Sequence, residues 1–145
     1  MFINKNKTYI SNNKQKKEWY LINAKNKTLG RLSTEIAILL KGKNFIQYTP
    51  YQIPSTYIIV INSSYINVTG KKKQSIVYKK HSGRPGGLKE EKFMSLQKRL
   101  PNKIIEHSIK GMLPKNKLGR KLFTHLKIYS QDYHPHQAQK PIILN

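Results

Sequence analysis

Apolar residues recur along this chain at two spacings, and the short β-branched and aromatic runs predict strands. The most apolar run, YIIVIN, lacks polar alternation, a pattern typical of a strand buried on both faces of a parallel sheet. Turn residues such as Thr69 and Gly70 separate the runs. The predicted strands cover residues 19–23, 57–62, 65–68, 75–81 and 126–129.

Longer segments place their apolar residues three and four positions apart, which predicts helices between the strands. The first helix covers about residues 28–41, with Thr28 as its N-cap and Gly42 just beyond its end. The second covers about residues 88–100, and Pro101 then starts a third, because proline is favourable at the first helical position. The residues expected to face inward are Leu29, Leu32, Ile36, Leu39, Leu40, Phe93, Leu96, Leu100, Ile104, Ile105, Ile109 and Met112.

The alternation of strands and helices indicates an α/β fold with a small, largely parallel sheet. Residues 1–18 carry several lysines without periodicity, so we interpret them as a basic N-terminal extension and residues 19–145 as a single domain. The absence of cysteine excludes a disulfide framework and any Cys-ligated zinc site. No apolar run approaches the roughly 18–20 residues of a bilayer span, and we expect no membrane partner.

Charge makes this chain a candidate binder of polyanions. Twenty-eight Lys and Arg face six Asp and Glu, a formal net charge of +22 in 145 residues. So few carboxylates cannot neutralise the cations, which repel one another in the compact state. Nucleic acid, an anionic membrane surface and an acidic protein are the candidate partners. Because the charge is dispersed through the domain as well as its termini, nucleic acid is favoured.

Residues 81–89 (HSGRPGGLK) combine three glycines with cations directly before a predicted helix. Glycines let backbone N–H groups approach a phosphate, and a helix N-terminus favours an anion. A flexible turn explains the run about equally well. The Walker A and GxGxxG patterns are absent, and Glu90 and Glu91 follow directly, so a nucleotide site is disfavoured.

Two later segments carry candidate contacts to RNA. Residues 111–121 (GMLPKNKLGRK) are predicted to end a helix at Pro114 and then to place four cations on a loop, which is either solvated or, given the charge of the whole chain, in contact with phosphate. His134 and His136 flank Pro135, yet a metal site needs at least a third ligand, and Asp132 is the only nearby carboxylate. We therefore expect these histidines to stack on bases or to meet phosphate, and we expect no metal.

Catalysis finds little support in the sequence. The six acids form no acid–base motif, and the GxSxG nucleophile elbow is absent. We expect no enzyme, no cofactor and no small-molecule substrate. Two alternatives stay open: an enzyme that holds a phosphate-bearing substrate at residues 81–89, and a general DNA-compacting protein.

Seven segments follow one another along the chain: WYLINAKNKTLGRLSTEIAILLKGK (19–43), YTP (48–50), YIIVINSSYINVTGKK (57–72), YKKHSGRPGGLK (78–89), IKGMLPKNKLGRKLF (109–123), LKIY (126–129) and HPHQAQKP (134–141). In this order they resemble the bacterial and plastid type of large-subunit ribosomal protein thirteen. The resemblance implies a three-layer α/β/α fold around a four-stranded sheet. It also implies a structural protein that binds large-subunit rRNA early in assembly, beside other large-subunit proteins and without forming homo-oligomers.

The chain departs from that family pattern at two places. Residues 52–56 replace an acidic turn, and Asn23 stands where Asp is common. The choice of Lys over Arg and of Ile over Val follows AT-rich codons, which indicates an organellar genome or an AT-rich bacterium. Because the motifs and their spacing resemble plastid-encoded members of the family, we expect a plastid ribosome, with a mitochondrion or the cytoplasm of an AT-rich bacterium as alternatives. By carry-over, the RNA-facing segments are residues 41–43, 71–73, 81–89, 110–121 and 134–136. Within them, charge and loop position select as candidate contacts Lys41, Lys43, Lys71, Lys72, Lys73, His81, Arg84, Lys89, Lys110, Lys115, Lys117, Arg120, Lys121, His134 and His136.

Overall fold

Four short parallel strands form the centre of the structure, a computed structural model that describes residues 17–46 and 48–144. Two further strands pair as an antiparallel hairpin. The central sheet has the order β5-β2-β1-β6, and the hairpin joins β3 to β4. The strands are β1 (Glu18–Asn23), β2 (Thr56–Ile61), β3 (Val77–His81), β4 (Leu88–Lys92), β5 (Leu126–Ile128) and β6 (Ile142–Leu144).

Five α-helices connect or flank these strands in the described residues. The first begins after Thr28, whose extended backbone marks the N-cap position, and ends at Gly42 in the left-handed conformation (φ 72°), where glycine is favourable. Pro101 occupies the first turn of the fourth, as predicted. The helices are α1 (Leu29–Lys41), α2 (Lys72–Ser75), α3 (Phe93–Arg99), α4 (Pro101–Met112) and α5 (Lys117–Thr124).

The main core lies between one face of the sheet and helices α1, α4 and α5. Ile58 and Val60 of β2 are fully buried there, because β2 has a neighbouring strand on each side and helices above it. The predicted helical stripes supply the other half of this core, and α1 also buries Ser33 and Ala37. A single α/β domain around a parallel four-stranded sheet is therefore confirmed. The helical core residues are Leu32, Ile36, Leu40, Ile105, Ile109 and Leu122.

A second, smaller core lies beneath the hairpin. Phe93 and Leu96 of α3 pack with Val68 and with Ile104 of α4. Ile76 and Tyr78 pack against this cluster from the segment that leads into and through β3. Leu29 of α1 packs against the same cluster, and the Gln97 side chain donates to the carbonyls of Ser64 and Ile66, so the hairpin and α3 are attached to the main domain through α1, α4 and the segment after β2.

An aromatic row crosses the other face of the sheet. Trp19 of β1 and Tyr57 of β2 are register partners, and their rings stack at 4.5 Å. Tyr57 stacks in turn on His125 at 4.4 Å, and His136 lies 5.3 Å from Trp19. The His136 Nε2 atom is also 2.8 Å from the Tyr129 hydroxyl. These contacts hold the segment after β5 against the sheet.

The strand predicted at residues 65–68 is wrong. Asn62 adopts the left-handed conformation (φ 60°) and turns the chain from β2 into a 3₁₀ turn at Ser63–Tyr65. Ile66 and Val68 are buried, but only an isolated bridge joins Thr28 to Asn67. Their alternation reflects packing under the start of α1 and not a strand ladder.

The helix predicted at residues 88–100 is wrong in its first third. Leu88–Lys92 forms β4, because its backbone pairs with β3, and the helix starts at Phe93. The glycine-rich run is thus a hairpin turn, with Gly83 and Gly86 at positive φ, and it does not open a helix. Phe93 and Leu96 are buried as predicted, whereas Leu100 is 41% exposed.

The loop predicted after Pro114 is wrong from Lys117 onward, because Lys117–Thr124 forms α5. The Asn116 side chain caps this helix by accepting from the Gly119 N–H at 2.8 Å. Gly119 lies directly against the carbonyl oxygen of Pro114, so the chain enters α5 through a close backbone contact.

The sequence also did not predict β6, whose three residues pair in parallel with β1. Most of the predicted N-terminal extension, residues 1–16, lies outside the described residues, and Glu18 already belongs to β1.

Two helical glycines should respond to alanine in opposite directions. A Cβ at Gly119 overlaps the Pro114 carbonyl, so Gly119→Ala should lower the free energy of unfolding by about 1–3 kcal/mol. A Cβ at Gly111 meets no described atom within 4 Å, so Gly111→Ala should raise it by about 0.5–1 kcal/mol through helix propensity. Denaturant unfolding of both variants measures this, and changes of the same sign would contradict the packing before α5.

The aromatic row should make stability depend on pH. Burial lowers the pKa of His125 and of His136 below the ordinary value of 6.5. As the pH falls, these histidines are therefore protonated at a higher pH in the unfolded chain than in the folded chain. The stability that their neutral, buried form contributes is present above about pH 6.5 and is lost as the pH falls below that value. Denaturant unfolding at pH 7 and pH 5.5 should show the loss, and His125→Phe/His136→Phe should reduce it. An unchanged slope in the double variant would refute the assignment.

Candidate nucleic-acid interface

Carboxylates neutralise only a few of the cations. Among the described residues three ion pairs form, and all of them lie on the hairpin, α3 or α4. The Glu91 carboxylate binds the Arg99 guanidinium through two oxygens and raises the pKa of Arg99. The pairs join Lys79 to Glu90, Arg99 to Glu91 and Lys103 to Glu106, at N–O distances of 3.0, 2.6 and 2.9 Å.

The hairpin exposes cations along both strands and at its tip. Its register places Lys80 directly opposite Lys89, a like-charge pair that destabilises a hairpin unless an anion lies nearby. At the turn, the Gly83 N–H donates to His81 Nδ1 at 2.9 Å and the Gly87 N–H donates to the Arg84 carbonyl at 3.0 Å. These bonds fix the backbone of the tip and leave the Arg84 side chain exposed.

Helix α5 collects cations on one exposed side. Lys117, Arg120 and Lys121 are spaced three and four residues apart, so they are neighbours on the helix surface, while Leu122 faces the core. Lys115 is also exposed, just before the helix begins. Positive charge at a helix N-terminus and like charges one turn apart both oppose helix stability, whereas a bound phosphate relieves both effects.

The predicted RNA-contacting lysines on and near α1, α2 and α4 differ in how exposed their side chains are. Lys41 is half-buried, and its Nζ donates to the Met112 carbonyl at 3.0 Å, which ties the end of α1 to the end of α4. Lys43 and Lys110 are exposed. Lys71–73 are exposed as well, at the start of the short helix α2.

The two histidines of the tail face the protein. His134 is 8% exposed, and its Nδ1 accepts from the His136 backbone N–H at 3.3 Å. His136 is half-buried beside Trp19 and Tyr129. Their rings therefore anchor the segment after β5, and their surfaces offer little room for a base.

An open groove of about 840 Å³, called here the charged groove, lies between the hairpin, α3, α4 and α5. It brings Lys89 and Lys110 together, although they are far apart in sequence. The other predicted residues are spread over separate surfaces. The groove also contains cations that the sequence did not single out, because their grouping depends on the hairpin; these are Lys79, Lys80, Arg99 and Lys103.

The carboxyl edge of the parallel sheet, where many α/β proteins bind ligands, is filled by internal hydrogen bonds. The Asn62 side chain donates to Asn23 at 3.1 Å and to Asp132 at 2.8 Å, and Ser63 donates to Asn102. Within residues 17–46 and 48–144, no three His, Cys, Asp or Glu side chains come together as metal ligands. None of the helices described is long and apolar enough to cross a membrane.

Comparison with known proteins connects this basic surface to one family. The family model for ribosomal protein L13 matches residues 17–135. Large ribosomal subunit protein uL13c of Pyropia yezoensis is 57% identical over 94% of this chain and 96% of its own length. The uL13c protein of Gracilaria tenuistipitata is 58% identical over 96% of this chain and 97% of its own length. The uL13 protein of Microcystis aeruginosa is 55% identical over 96% of this chain and 93% of its own length. With the fold and the dispersed cations described above, these matches show that the chain belongs to the ribosomal protein L13 family.

Proposed function

We propose that this chain is a structural constituent of the large ribosomal subunit, that it binds large-subunit rRNA, and that it supports early subunit assembly. The observation that carries the proposal is the excess of exposed cations without carboxylate partners, spread over the hairpin, α2 and α5 of a chain with net charge +22. A protein with this surface requires a polyanion to neutralise it. The relatives in Pyropia and Gracilaria support a plastid ribosome as its location.

Affinity arises from release of counterions when lysines and arginines meet phosphates, so binding weakens steeply with salt. The cations lie on a hairpin tip, on short helices and on loops, and none of these elements is a long helix suited to a groove. Recognition therefore depends on the shape of folded RNA, whose deep major groove does not admit side chains. Cations on separate surfaces let one domain hold several RNA segments in a fixed arrangement.

The residues proposed for direct contact are those with exposed side chains. Lys41, His134 and His136 have a different role in this scheme, because each is committed to a contact within the protein. They position the ends of α1 and α4 and the tail. The direct contacts are proposed for Lys43, Lys71, Lys72, Lys73, His81, Arg84, Lys89, Lys110, Lys115, Lys117, Arg120 and Lys121.

The two alternatives from the sequence are less well supported. An enzyme built on residues 81–89 loses its main argument, since the glycine run is a hairpin turn without a following helix N-terminus. A DNA-compacting protein requires indifference to nucleic-acid shape, whereas the cations here sit at fixed, separate positions of one folded domain. The proposed chain acts without a catalytic step, and other large-subunit proteins are its neighbours.

Sedimentation of a native extract tests the ribosomal role. We expect the chain to migrate with the large subunit in a low-salt sucrose gradient, at one copy per subunit, and to be released as the salt concentration is raised, because each phosphate contact adds to the salt dependence. Quantitative mass spectrometry of the fractions measures this. Recovery of the chain at the top of the low-salt gradient, free of RNA, would contradict the proposal.

Removal of the α5 cations should weaken incorporation more than removal of equal charge elsewhere. Lys115→Ala/Lys117→Ala/Arg120→Ala should reduce co-sedimentation with large subunits, and the slope of log K against log salt should become shallower by about 2–3, close to one for each lost phosphate contact.

The matched control is Lys25→Ala/Lys98→Ala/Lys140→Ala, which removes three exposed cations outside the proposed contacts. Its incorporation and salt slope should stay near those of the wild type. Equal loss in both variants would mean that only total charge matters, and wild-type stoichiometry for the α5 variant would exclude α5 from the interface.

A further inference from the structure

The charged groove has an apolar floor and a cationic rim. Tyr78, Leu96, Leu100 and Phe123 contribute to its lining, together with the exposed ring of His107. Tyr78 is half-buried and meets His107 edge-on, with ring centroids 5.3 Å apart and an interplanar angle of 84°. An aromatic floor of this kind accepts a flat ring, and its position between elements gives it more depth than an exposed helix face has.

The rim carries surplus positive charge. Six cations and three carboxylates line the groove, and each of the carboxylates is already paired. Three lysines have no acid partner among the described residues, and Lys80 and Lys89 are forced together by the hairpin register. The third, Lys110, approaches from α4. An anion bound between these ammonium groups relieves their repulsion.

We propose that the charged groove binds one unpaired nucleotide of an RNA strand, with its base against Tyr78 and His107 and its backbone phosphate between Lys80, Lys89 and Lys110. This inference rests on the proposed function and extends it. It assigns an unpaired RNA nucleotide to the charged groove, whereas the family resemblance implies only that several basic segments face RNA. The volume of about 840 Å³ exceeds that of a single base and leaves room for the sugar.

The shape and charge of the groove favour a nucleotide over its main competitor, an acidic segment of a neighbouring protein. The glutamates of such a peptide would be attracted by the unpaired lysines but repelled by the carboxylates of the groove. A nucleotide instead places its one phosphate at the unpaired lysines and its uncharged base over the apolar floor. Base stacking on aromatic side chains also tolerates any base, so the site needs no hydrogen-bond code.

Binding of short probes to the intact chain tests the proposal. The probes are a mixed-sequence single-stranded RNA hexamer, the same hexamer without bases, and an acidic peptide of alternating glutamate and leucine. The RNA hexamer should shift the NMR signals of Tyr78, Leu96 and His107, and the abasic hexamer should bind at least about fivefold more weakly because stacking is lost. Equal affinity for both hexamers, or shifts caused by the peptide and not by RNA, would overturn the proposal.

Charge removal inside and outside the groove separates this site from general attraction. Lys80→Ala/Lys89→Ala should lower hexamer affinity by about tenfold, while Lys25→Ala/Lys98→Ala, which removes two exposed lysines outside the proposed contacts, should lower it by less than about threefold. The groove variant should be at least as stable to denaturant as the wild type, since it removes a like-charge pair, so weaker binding cannot come from unfolding. Equal losses in the two variants would refute a site in the groove. If the chain sediments with large subunits but the hexamer fails to shift the groove signals, only this inference fails.

Discussion

The shortage of carboxylates is the constraint on which the rest of the structure depends. With six acids against twenty-eight Lys and Arg, the fold cannot neutralise itself, whatever its geometry. The described acids that form ion pairs do so on the hairpin, α3 and α4, where cations are also concentrated. Repulsion over the remaining surface is opposed by burial of apolar side chains and, in the complex, by phosphate. Surface charge and core packing in this chain are therefore two parts of one balance.

The two cores differ in size and in the amount of charged surface that they support. The main core joins the sheet to α1, α4 and α5, and its residues on β2 and α1 are almost completely buried. The second core is small and reaches the main domain through Ile104 of α4 and Leu29 of α1, yet it supports the hairpin that carries the Lys80–Lys89 pair and the Arg84 tip. The element above the smaller core thus carries concentrated charge. In the proposed complex, a bound phosphate stabilises this hairpin, because it relieves the repulsion between Lys80 and Lys89.

Local pattern predicted the elements whose identity depends on their own residues. YIIVIN became the buried strand β2, α1 ended at Gly42, and Pro101 opened α4. The wrong predictions concern segments whose secondary structure depends on a neighbouring strand. Residues 88–92 form a strand because β3 lies beside them, and β6 exists because β1 offers an open edge. Asn116 is a residue type that favours the N-cap of a helix, but the four cations around it favoured the prediction of a loop. The sequence predicted the exposed cations one by one. It could not predict that some of them line the charged groove, because that grouping depends on the pairing of β3 with β4. It also could not predict that His134 is buried, because that depends on how the tail packs against the aromatic row.

The parallel pairing of β6 with β1 has a consequence for the order of folding. β1 meets β2 after a modest stretch of chain, but its second neighbour lies about 120 residues further on, a long loop whose closure is slow. As the chain leaves a ribosome, β1, β2 and α1 emerge first; the β2 edge stays open until β5 arrives, and the β1 edge stays open until residues 142–144 arrive. The edge strand then closes the sheet late, and the aromatic contacts of His136 form in the same final stage. A nascent chain stalled before this point therefore has an exposed β1 edge, the feature most prone to aberrant strand pairing.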